Sequence, residues 1–418
     1  MKIKHVFATS LLALTLCACK PSLAFDAFAN NVLYKTQQAE NDNGWTIMVY
    51  MCGSTLEYDG GVVGLATMDI REMLSVKNQP DNVNIVIQTG GAQAWASNYG
   101  IRGDKSEIYH IRNNKLVKDA SNSNKNMGSS STLQSFVEYG LKKYPAKHNG
   151  FIFWNHGGAM MGCCNDENYS GDSLLNSEVS RAFKNAFKTM NRTEKLDWVG
   201  YDACLMSVQD IAEFNSHYFK YMVASEQTEA GYGWAYDDWL PTLYNKKPTT
   251  EILSKIADSF INSINVSYGR TKNDQTLAVL DLSKMASYKK SFESLASAMN
   301  KLSISKSSFV SLMNTVKTFG DKYSSYYGIF DAYNFFNRII DESVFSSCKS
   351  KIKECKSAYE KLIYHFAKGQ VADDSSTKTA NGMCLFFPIS ANCYSSEFYT
   401  ASQTNFTNWR SFCLSHGY

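Results

Sequence analysis

The stretch Gly150-Phe-Ile-Phe-Trp-Asn-His-Gly-Gly158 predicts a buried strand that ends in a histidine and two glycines. A second apolar strand, Leu196-Asp-Trp-Val-Gly-Tyr-Asp-Ala-Cys204, ends in a cysteine. A helical pattern over residues 177–190 lies between them, as expected for two parallel strands joined by a crossover helix. Because parallel strands gather reactive groups at their carboxyl edge, we expect His156 and Cys204 to face one crevice.

The surrounding sequence continues this alternation. Short apolar runs occur at residues 45–51, 82–88 and 218–225, and amphipathic helical patterns occur at 63–76 and 130–144. Strands that alternate with helices indicate an α/β fold with a mostly parallel sheet covered by helices on both faces. The first part of the chain therefore predicts an open, doubly covered sheet.

The pattern changes after about residue 246. Longer helical segments follow, and two strand-like runs interrupt them, at Thr276–Asp281 and Gly382–Pro388. We predict a C-terminal, largely helical subdomain that returns strands to the first unit. Its predicted helices span residues 249–266, 285–302, 307–318 and 349–366.

Composition describes a folded protein without a nucleic-acid partner. Of the 418 residues, 44% are apolar and 19% are charged, which is the balance of a globular chain. A formal net charge of +3 is far from the basic excess of nucleic-acid-binding proteins. Beyond residue 19 no apolar run of about 18 residues occurs, so the sequence predicts no spanning helix in the mature chain.

The N-terminus has the features of an export signal. Met1-Lys-Ile-Lys-His5 is positively charged, and residues 6–16 form an apolar stretch too short to cross a bilayer. The stretch ends in Leu16-Cys-Ala-Cys19, which resembles a bacterial lipoprotein cleavage box with Cys19 as the acylated residue. The alternative is an ordinary secretory signal cut nearby. Acyl chains on Cys19 would tether the protein to a membrane surface without inserting the domain.

These patterns predict an exported protein of the bacterial cell envelope, held at the outer membrane or cell surface or released from it. We expect a monomer. The predicted division is a signal peptide over residues 1–18, a tether over 19–44, a catalytic core over 45–245 and a C-terminal subdomain over 246–418.

Nine cysteines remain after Cys17 and Cys19 are set aside. An odd number leaves at least one thiol unpaired or paired with another molecule. An oxidising compartment permits disulfides among the others, but the spacing fixes no connectivity. No pair of Cys-x-x-Cys motifs occurs, so a structural zinc site has little support.

Both strand-end residues suit covalent catalysis. The helix-like segment after Cys204 predicts a cysteine at a helix N-terminus, where the dipole favours the reactive thiolate. The imidazole of His156 can transfer protons near neutral pH. The backbone N–H groups of Gly157 and Cys204 are candidates for an oxyanion hole. Alone, a histidine or a buried cysteine is usually structural, and it is their matched position that distinguishes these two.

These motifs resemble a known family. Trp154-Asn-His-Gly-Gly158 and Gly200-Tyr-Asp-Ala-Cys-Leu-Met206 are similar to the two catalytic motifs of the clostripain family of cysteine peptidases, in the clan of caspases, legumains and gingipains. The resemblance covers about residues 45–415. It extends to Trp45–Met51, Ala224–Glu226, Gly233–Tyr236 and Gly382–Pro388.

The resemblance implies a caspase-like α/β fold and an endopeptidase with a Cys-His dyad. Cys204 would form a thioester, and His156 would transfer protons, chiefly to the leaving amine. The family usually cleaves after arginine, sometimes lysine, and Asp202 matches the acidic floor of its specificity pocket. Asp202 could instead bind only local backbone N–H groups. Further candidates for the cleft walls are Glu226, Tyr232, Trp234 and Asp237.

One departure concerns activation. Members of the family are commonly cleaved after a basic residue between the histidine and the cysteine, yet Gly157–Ser180 contains no lysine or arginine. The first basic residues are Arg181, Lys184 and Lys188, within the predicted helix. We expect that another peptidase cuts the chain or that it is active uncut.

Calcium is required by some relatives, and the dyad itself needs no cofactor. Four acidic residues are possible ligands, but their spacing does not match an EF-hand loop. They are Asp59, Asp166, Glu167 and Asp172. Two other functions remain open: a catalytically silent surface-binding protein on the same fold, and a hydrolase of the same clan with a different specificity.

Overall fold

The computed structural model describes residues 44–61, 63–267, 273–393 and 405–418. The predicted signal peptide, the acylation site Cys19 and nearly all of the tether lie outside the described residues. Among the helices that are described, none combines the length and the apolar character that crossing a bilayer requires.

A nine-stranded mixed sheet forms the centre of the described structure, in the order β12-β10-β9-β8-β5-β1-β2-β3-β4. Its five middle strands are parallel, and antiparallel strands extend it at both edges. The strands are β1 Trp45–Cys52, β2 Val83–Gly90, β3 Lys105–Arg112, β4 Lys115–Ser123, β5 His148–Trp154, β6 Cys163–Asp166, β7 Asp172–Leu174, β8 Leu196–Asp202, β9 Phe219–Ala224, β10 Thr276–Asp281, β11 Ile329–Asp331, β12 Ile363–Lys368 and β13 Cys384–Phe386.

Helices cover both faces of this sheet. They are α1 Ser54–Glu57, α2 Leu65–Ser75, α3 Ser130–Lys143, α4 Asn176–Thr189, α5 Gln209–Asn215, α6 Tyr236–Tyr244, α7 Thr249–Ser267, α8 Met285–Met299, α9 Lys306–Met313, α10 Ser324–Tyr327, α11 Ala332–Ile339, α12 Lys349–Leu362 and α13 Thr407–His416. The caspase-like α/β class expected from the sequence is confirmed.

Strand β5 shows why helices pack on both faces of the sheet. Phe151 and Phe153 pack into the core on one face, with α3 and α4, whereas Ile152 and Trp154 pack into the core on the other, with α2, α6 and α7. Successive side chains of a strand point to opposite faces, so a strand that is apolar throughout must be buried on both sides.

The C-terminal region differs from its predicted elements at two points. The helix predicted over residues 349–366 ends at Leu362, and β12 continues from it as the antiparallel partner of β10. The run Ile-Tyr-His-Phe within β12 consists of residues that suit a strand once a partner is available. The predicted strand Gly382–Pro388 is only the short β13, which pairs with β11 in a separate two-stranded sheet.

We expect Gly150→Ala to destabilise the protein, because the strands β5 and β8 leave no room for a side chain there. A Cβ atom on Gly150 would lie 2.4 Å from the indole Cε2 of Trp198, which is fully buried. Such overpacking typically costs about 1–3 kcal/mol. The matched control is Gly61→Ala, where no atom lies within 4 Å of the added Cβ. Equal urea midpoints for the two variants would contradict the prediction.

Candidate active site

The pairing of β5 with β8 brings the two predicted catalytic residues to the same edge. Trp154 is the register partner of Asp202, and the N–H of Asn155 donates to the carbonyl of Asp202 at 3.3 Å. His156 and Cys204 each lie two residues beyond this last pair. The strand register therefore places both residues at one edge of the sheet.

Gly157 packs directly against the backbone of Cys204. A Cβ on Gly157 would lie 2.2 Å from the Cys204 carbonyl oxygen and 3.1 Å from its nitrogen. The thiol accepts a hydrogen bond from the N–H of Glu229 at 3.2 Å. Both predicted oxyanion donors, the N–H groups of Gly157 and Cys204, also lie close enough to Sγ to lower its pKa. Backbone N–H groups thus surround the sulfur.

The expected helix N-terminus is not at Cys204. Helix α5 begins only at Gln209, and residues 205–208 form an extended turn in which Leu205 has a φ of 64°. Burial is the largest influence on the Cys204 thiol and raises its pKa above the usual value, against the lowering by the N–H groups. Backbone N–H groups, rather than a helix dipole, therefore oppose the effect of burial on the pKa of this thiol.

His156 lies at the mouth of the cleft with its backbone fixed. Its carbonyl accepts from the N–H of Cys164 at 3.2 Å, and its Nε2 is 2.9 Å from the hydroxyl of Thr55. Within the described residues, no hydrogen bond joins the imidazole to the Cys204 thiol. The ring is exposed on one side, yet the protein around it lowers the pKa of His156 below its ordinary value. The imidazole is therefore neutral near pH 7.

A cluster of four carboxyl groups lies beside the thiol. Asp202 at the end of β8 is joined by Glu229 from the turn after β9 and by Asp69 and Glu72 from α2. Burial raises the pKa of Asp202 to about 7, with Glu229 beside it, and the pKa of Glu72 also to about 7. Among the described residues, no lysine, arginine or histidine forms an ion pair with any of the four.

Two oxygens of this cluster have no hydrogen-bond donor. Oδ1 of Asp69 and Oε1 of Glu229 are buried and unpartnered within the described structure. Gly233, with a φ of 65°, packs against the cluster so closely that a Cβ there would lie 2.6 Å from Asp69 Oδ2. Buried acceptors without donors are rare and costly, so these two oxygens leave the carboxyl cluster short of hydrogen-bond donors.

The remaining donors come from the segment between β9 and α6. The N–H of Trp234 donates to Asp202 at 3.2 Å, and the hydroxyl of Tyr236 donates to the same oxygen at 2.8 Å. The indole of Trp234 donates to Glu229 at 3.2 Å. Trp234 is therefore part of the site, as the sequence suggested.

The other predicted wall residues differ. Glu226 is directed away from the carboxyl cluster and accepts from the N–H of Gly382 at 2.8 Å. Asp237 is exposed and acts on the cluster only through Glu72, whose pKa it raises. Tyr232 is half-buried in the turn that leads to Trp234.

Sequence reasoning missed several contributors. Asp69, Glu229, Tyr236 and Thr55 come from four different elements, and Tyr327 of α10 lies near enough for the Cys204 sulfur to raise its pKa. Of these residues, only Asp69 has a signal in the sequence, because it is an acidic residue on the apolar face of α2. The others come together only in the folded chain.

Two of the four candidate calcium ligands have hydrogen-bond donors within the protein. Asp166 accepts from the N–H groups of Met127 and Asn168, and Asp172 accepts from the side chain of Asn126. Within the described ranges, no three His, Cys, Asp or Glu side chains are grouped so as to hold a metal ion. As they are placed, the described side chains of this region form no such group, and calcium binding stays a prediction.

The nine cysteines of the described chain are all unpaired. Eight of them are buried, and Cys204 alone among them is half-exposed. The structure thus leaves one thiol at the surface of the cleft.

Comparison with known proteins identifies the family and the fold of the chain. The model of the clostripain family matches residues 49–413. A secreted C11 cysteine protease from Bacteroides thetaiotaomicron, solved with an irreversible peptide inhibitor, has a TM-score of 0.65 at 14% identity, over 88% of this chain and 99% of that one. A second structure of such a protease from that organism, iotapain, has a TM-score of 0.66 at 14% identity, with coverage of 87% and 99%.

An inactive zymogen C11 protease from Parabacteroides distasonis has a TM-score of 0.61 at 14% identity, over 89% of this chain and 96% of that one. No protein with a curated description matches the chain in sequence. The fold defines an α/β cysteine peptidase of the caspase-like class. The chain belongs to the clostripain family.

We expect Gly157→Ala to remove the reactivity of Cys204, because the new methyl group meets the Cys204 backbone, which cannot yield as a flexible side chain can. Displacing one oxyanion donor typically lowers the rate about 10²–10³-fold. The measurement is the rate of thiol labelling by an arginyl acyloxymethyl ketone. The control is Gly158→Ala, whose Cβ would meet the flexible end of Met161 at 3.2 Å. Equal labelling rates would contradict the prediction.

Proposed function

We propose that this peptidase hydrolyses protein or peptide bonds after arginine, or lysine, with Cys204 as nucleophile and His156 as proton carrier. One observation carries the proposal: a buried carboxyl cluster without a cationic partner lies next to the Cys204 thiol. A guanidinium or ammonium group of the substrate would supply the missing charge and donors.

The geometry supports a covalent route. The Cys204 thiol gives its proton to the neutral imidazole of His156, and the sulfur attacks the scissile carbonyl while the N–H groups of Gly157 and Cys204 stabilise the oxyanion. The C–N bond then breaks, the leaving amine takes that proton from His156, and the acyl group remains as a thioester. Water attacks the thioester and passes a proton to His156; the C–S bond breaks, the second product leaves as a carboxylic acid, and His156 returns the proton to the Cys204 sulfur. The cycle needs no cofactor.

Charge complementarity favours this function over the two alternatives. A silent binding protein has no need for a half-exposed thiol surrounded by backbone donors. A relative with acidic or apolar specificity would face repulsion or unpaired carboxylates in the cluster around Asp202. Neither alternative explains the unpartnered oxygens of Asp69 and Glu229.

The N-terminal motif supports export and lipid attachment at Cys19, which would place a monomeric peptidase on the cell envelope near protein substrates.

As for activation, the described loop after His156 carries no basic residue, and the three nearest ones lie in α4. A peptidase needs an extended substrate, so a cut at Arg181 would require α4 to unwind. We propose that the chain is active uncut or is cut by another peptidase.

We expect the purified protein to cleave fluorogenic peptides after arginine or lysine and Cys204→Ala to abolish the cleavage. Asp202→Asn should lower kcat/KM for arginyl substrates about 10²–10³-fold, because one partner of a buried charge pair is lost. The control is Asp238→Asn, an exposed acid of α6. Cleavage only after aspartate or asparagine would refute the specificity and keep the nucleophile. No cleavage by wild type would refute the function.

We expect kcat/KM for arginyl peptides to fall as the pH decreases through about 7. Burial raises the pKa of Asp202 to about 7, and below this pH Asp202 and Glu229 share a proton. A cationic side chain must displace this proton in order to bind. Because one proton is displaced, kcat/KM falls about tenfold for each pH unit below the pKa. Alkylation of Cys204 by iodoacetamide, which has no such side chain, is the control. If both reactions follow one pH profile, the carboxyl pair is not the cause.

A further inference from the structure

The catalytic histidine has a side-chain partner that its sequence motif does not include. The hydroxyl of Thr55 lies 2.9 Å from Nε2 of His156, although 101 positions separate them in the chain. The described residues provide no other hydrogen bond to this ring. Nδ1 is therefore the nitrogen left for the substrate.

Thr55 is held in place from both sides. Helix α1, which carries it, follows β1 directly, and the N–H of Gly53 donates to the Gly90 carbonyl at 2.8 Å. At the other end of α1, the carboxylate of Glu57 accepts from the N–H and hydroxyl of Thr67 and from the N–H of Ala96. Two anchors thus fix a helix of one turn.

The backbone of His156 is equally constrained. The side chain of Asn155 donates to the Cys52 carbonyl at 2.5 Å and accepts from the N–H of Asn165 at 2.7 Å. These bonds tie the residue before the histidine to the end of β1, from which α1 starts. The contact between Thr55 and the imidazole therefore joins two rigid backbones.

A hydroxyl suits this position because its oxygen accepts a hydrogen bond without carrying a charge. In the neutral imidazole, Nε2–H donates to the Thr55 oxygen, which leaves the lone pair of Nδ1 to accept a proton. In the doubly protonated imidazole, Nε2–H donates to the same oxygen, and the Nδ1 proton is the one that the leaving amine takes. The bond thus persists while a proton is gained and lost at Nδ1. A carboxylate would instead stabilise the cation and make it a weaker acid toward the leaving amine.

We propose that Thr55 is a positioning residue that orients His156 through Nε2 and so assigns proton transfer to Nδ1. The inference rests on the proposed function, in which His156 protonates the leaving amine. Thr55 touches neither the substrate nor the thiol, and acts only through the imidazole.

The test compares Thr55→Val with Thr55→Ser. Valine keeps the shape and removes the hydroxyl, so kcat on arginyl peptides should fall about 10–100-fold with KM changed less than about threefold, as for other residues that orient a reactive histidine. Serine should restore kcat to within about threefold. Nitrogen NMR of the neutral imidazole should show a single tautomer, protonated on Nε2, in wild type and a mixture in Thr55→Val.

Thr46→Val controls for loss of a buried hydroxyl, since the Thr46 hydroxyl bonds the Tyr144 carbonyl at the opposite end of β1. It should lower the melting temperature without lowering kcat. The proposal is overturned if Thr55→Val keeps wild-type kcat and tautomer, if Thr55→Ser is equally impaired, or if Thr46→Val loses as much activity. If His156→Ala remains active, the dyad is overturned as well. If His156→Ala is inactive while Thr55→Val has normal kcat, only the positioning role of Thr55 is overturned.

Discussion

The parallel pairing of β5 with β8 is the constraint on which the site depends. The register joins Trp154 to Asp202, and the chain continues past this pair for two residues on each side before it reaches His156 and Cys204. A slip of one residue would turn every side chain of either strand to the other face and place the large apolar groups of both cores in the wrong layer. Core packing on two faces therefore also fixes the catalytic geometry.

The same edge of the sheet holds several buried carboxyl groups. Asp69, Asp202 and Glu229 are buried near one another without a compensating cation among the described residues, and they can coexist only because protons are retained on the cluster. Such an arrangement lowers stability, and a natural protein keeps it where function gains from it. Under the proposed specificity, a cationic substrate side chain that reached the cluster would release a proton and relieve the repulsion.

How far the sequence predicts the site follows from where its parts lie. His156 and Cys204 could be found because strand ends of one sheet converge by rule, whereas Asp202 was identified only by its resemblance to the family motif. Glu229 and Thr55 could not, because a turn after β9 and the single turn α1 reach the site only through tertiary packing. The thiol's environment was misjudged for a related reason: Leu205–Val208 has helix-like composition, but the backbone turns through Leu205 before α5 begins. Likewise β12 became a strand only because β10 was available as a partner.

The C-terminal region contacts the segment Ser225–Glu229, which follows β9 and carries Glu229. The segment Ser225–Glu229 is held on one side by the N–H groups of Leu205 and Ser207, which donate to Gln227 and Ser225. On the other side the Glu226 carboxylate bonds the N–H of Gly382 and lies against Asp331, and burial raises the pKa of both acids. Since Glu229 ends this segment, contacts from both halves of the chain fix its place in the carboxyl cluster.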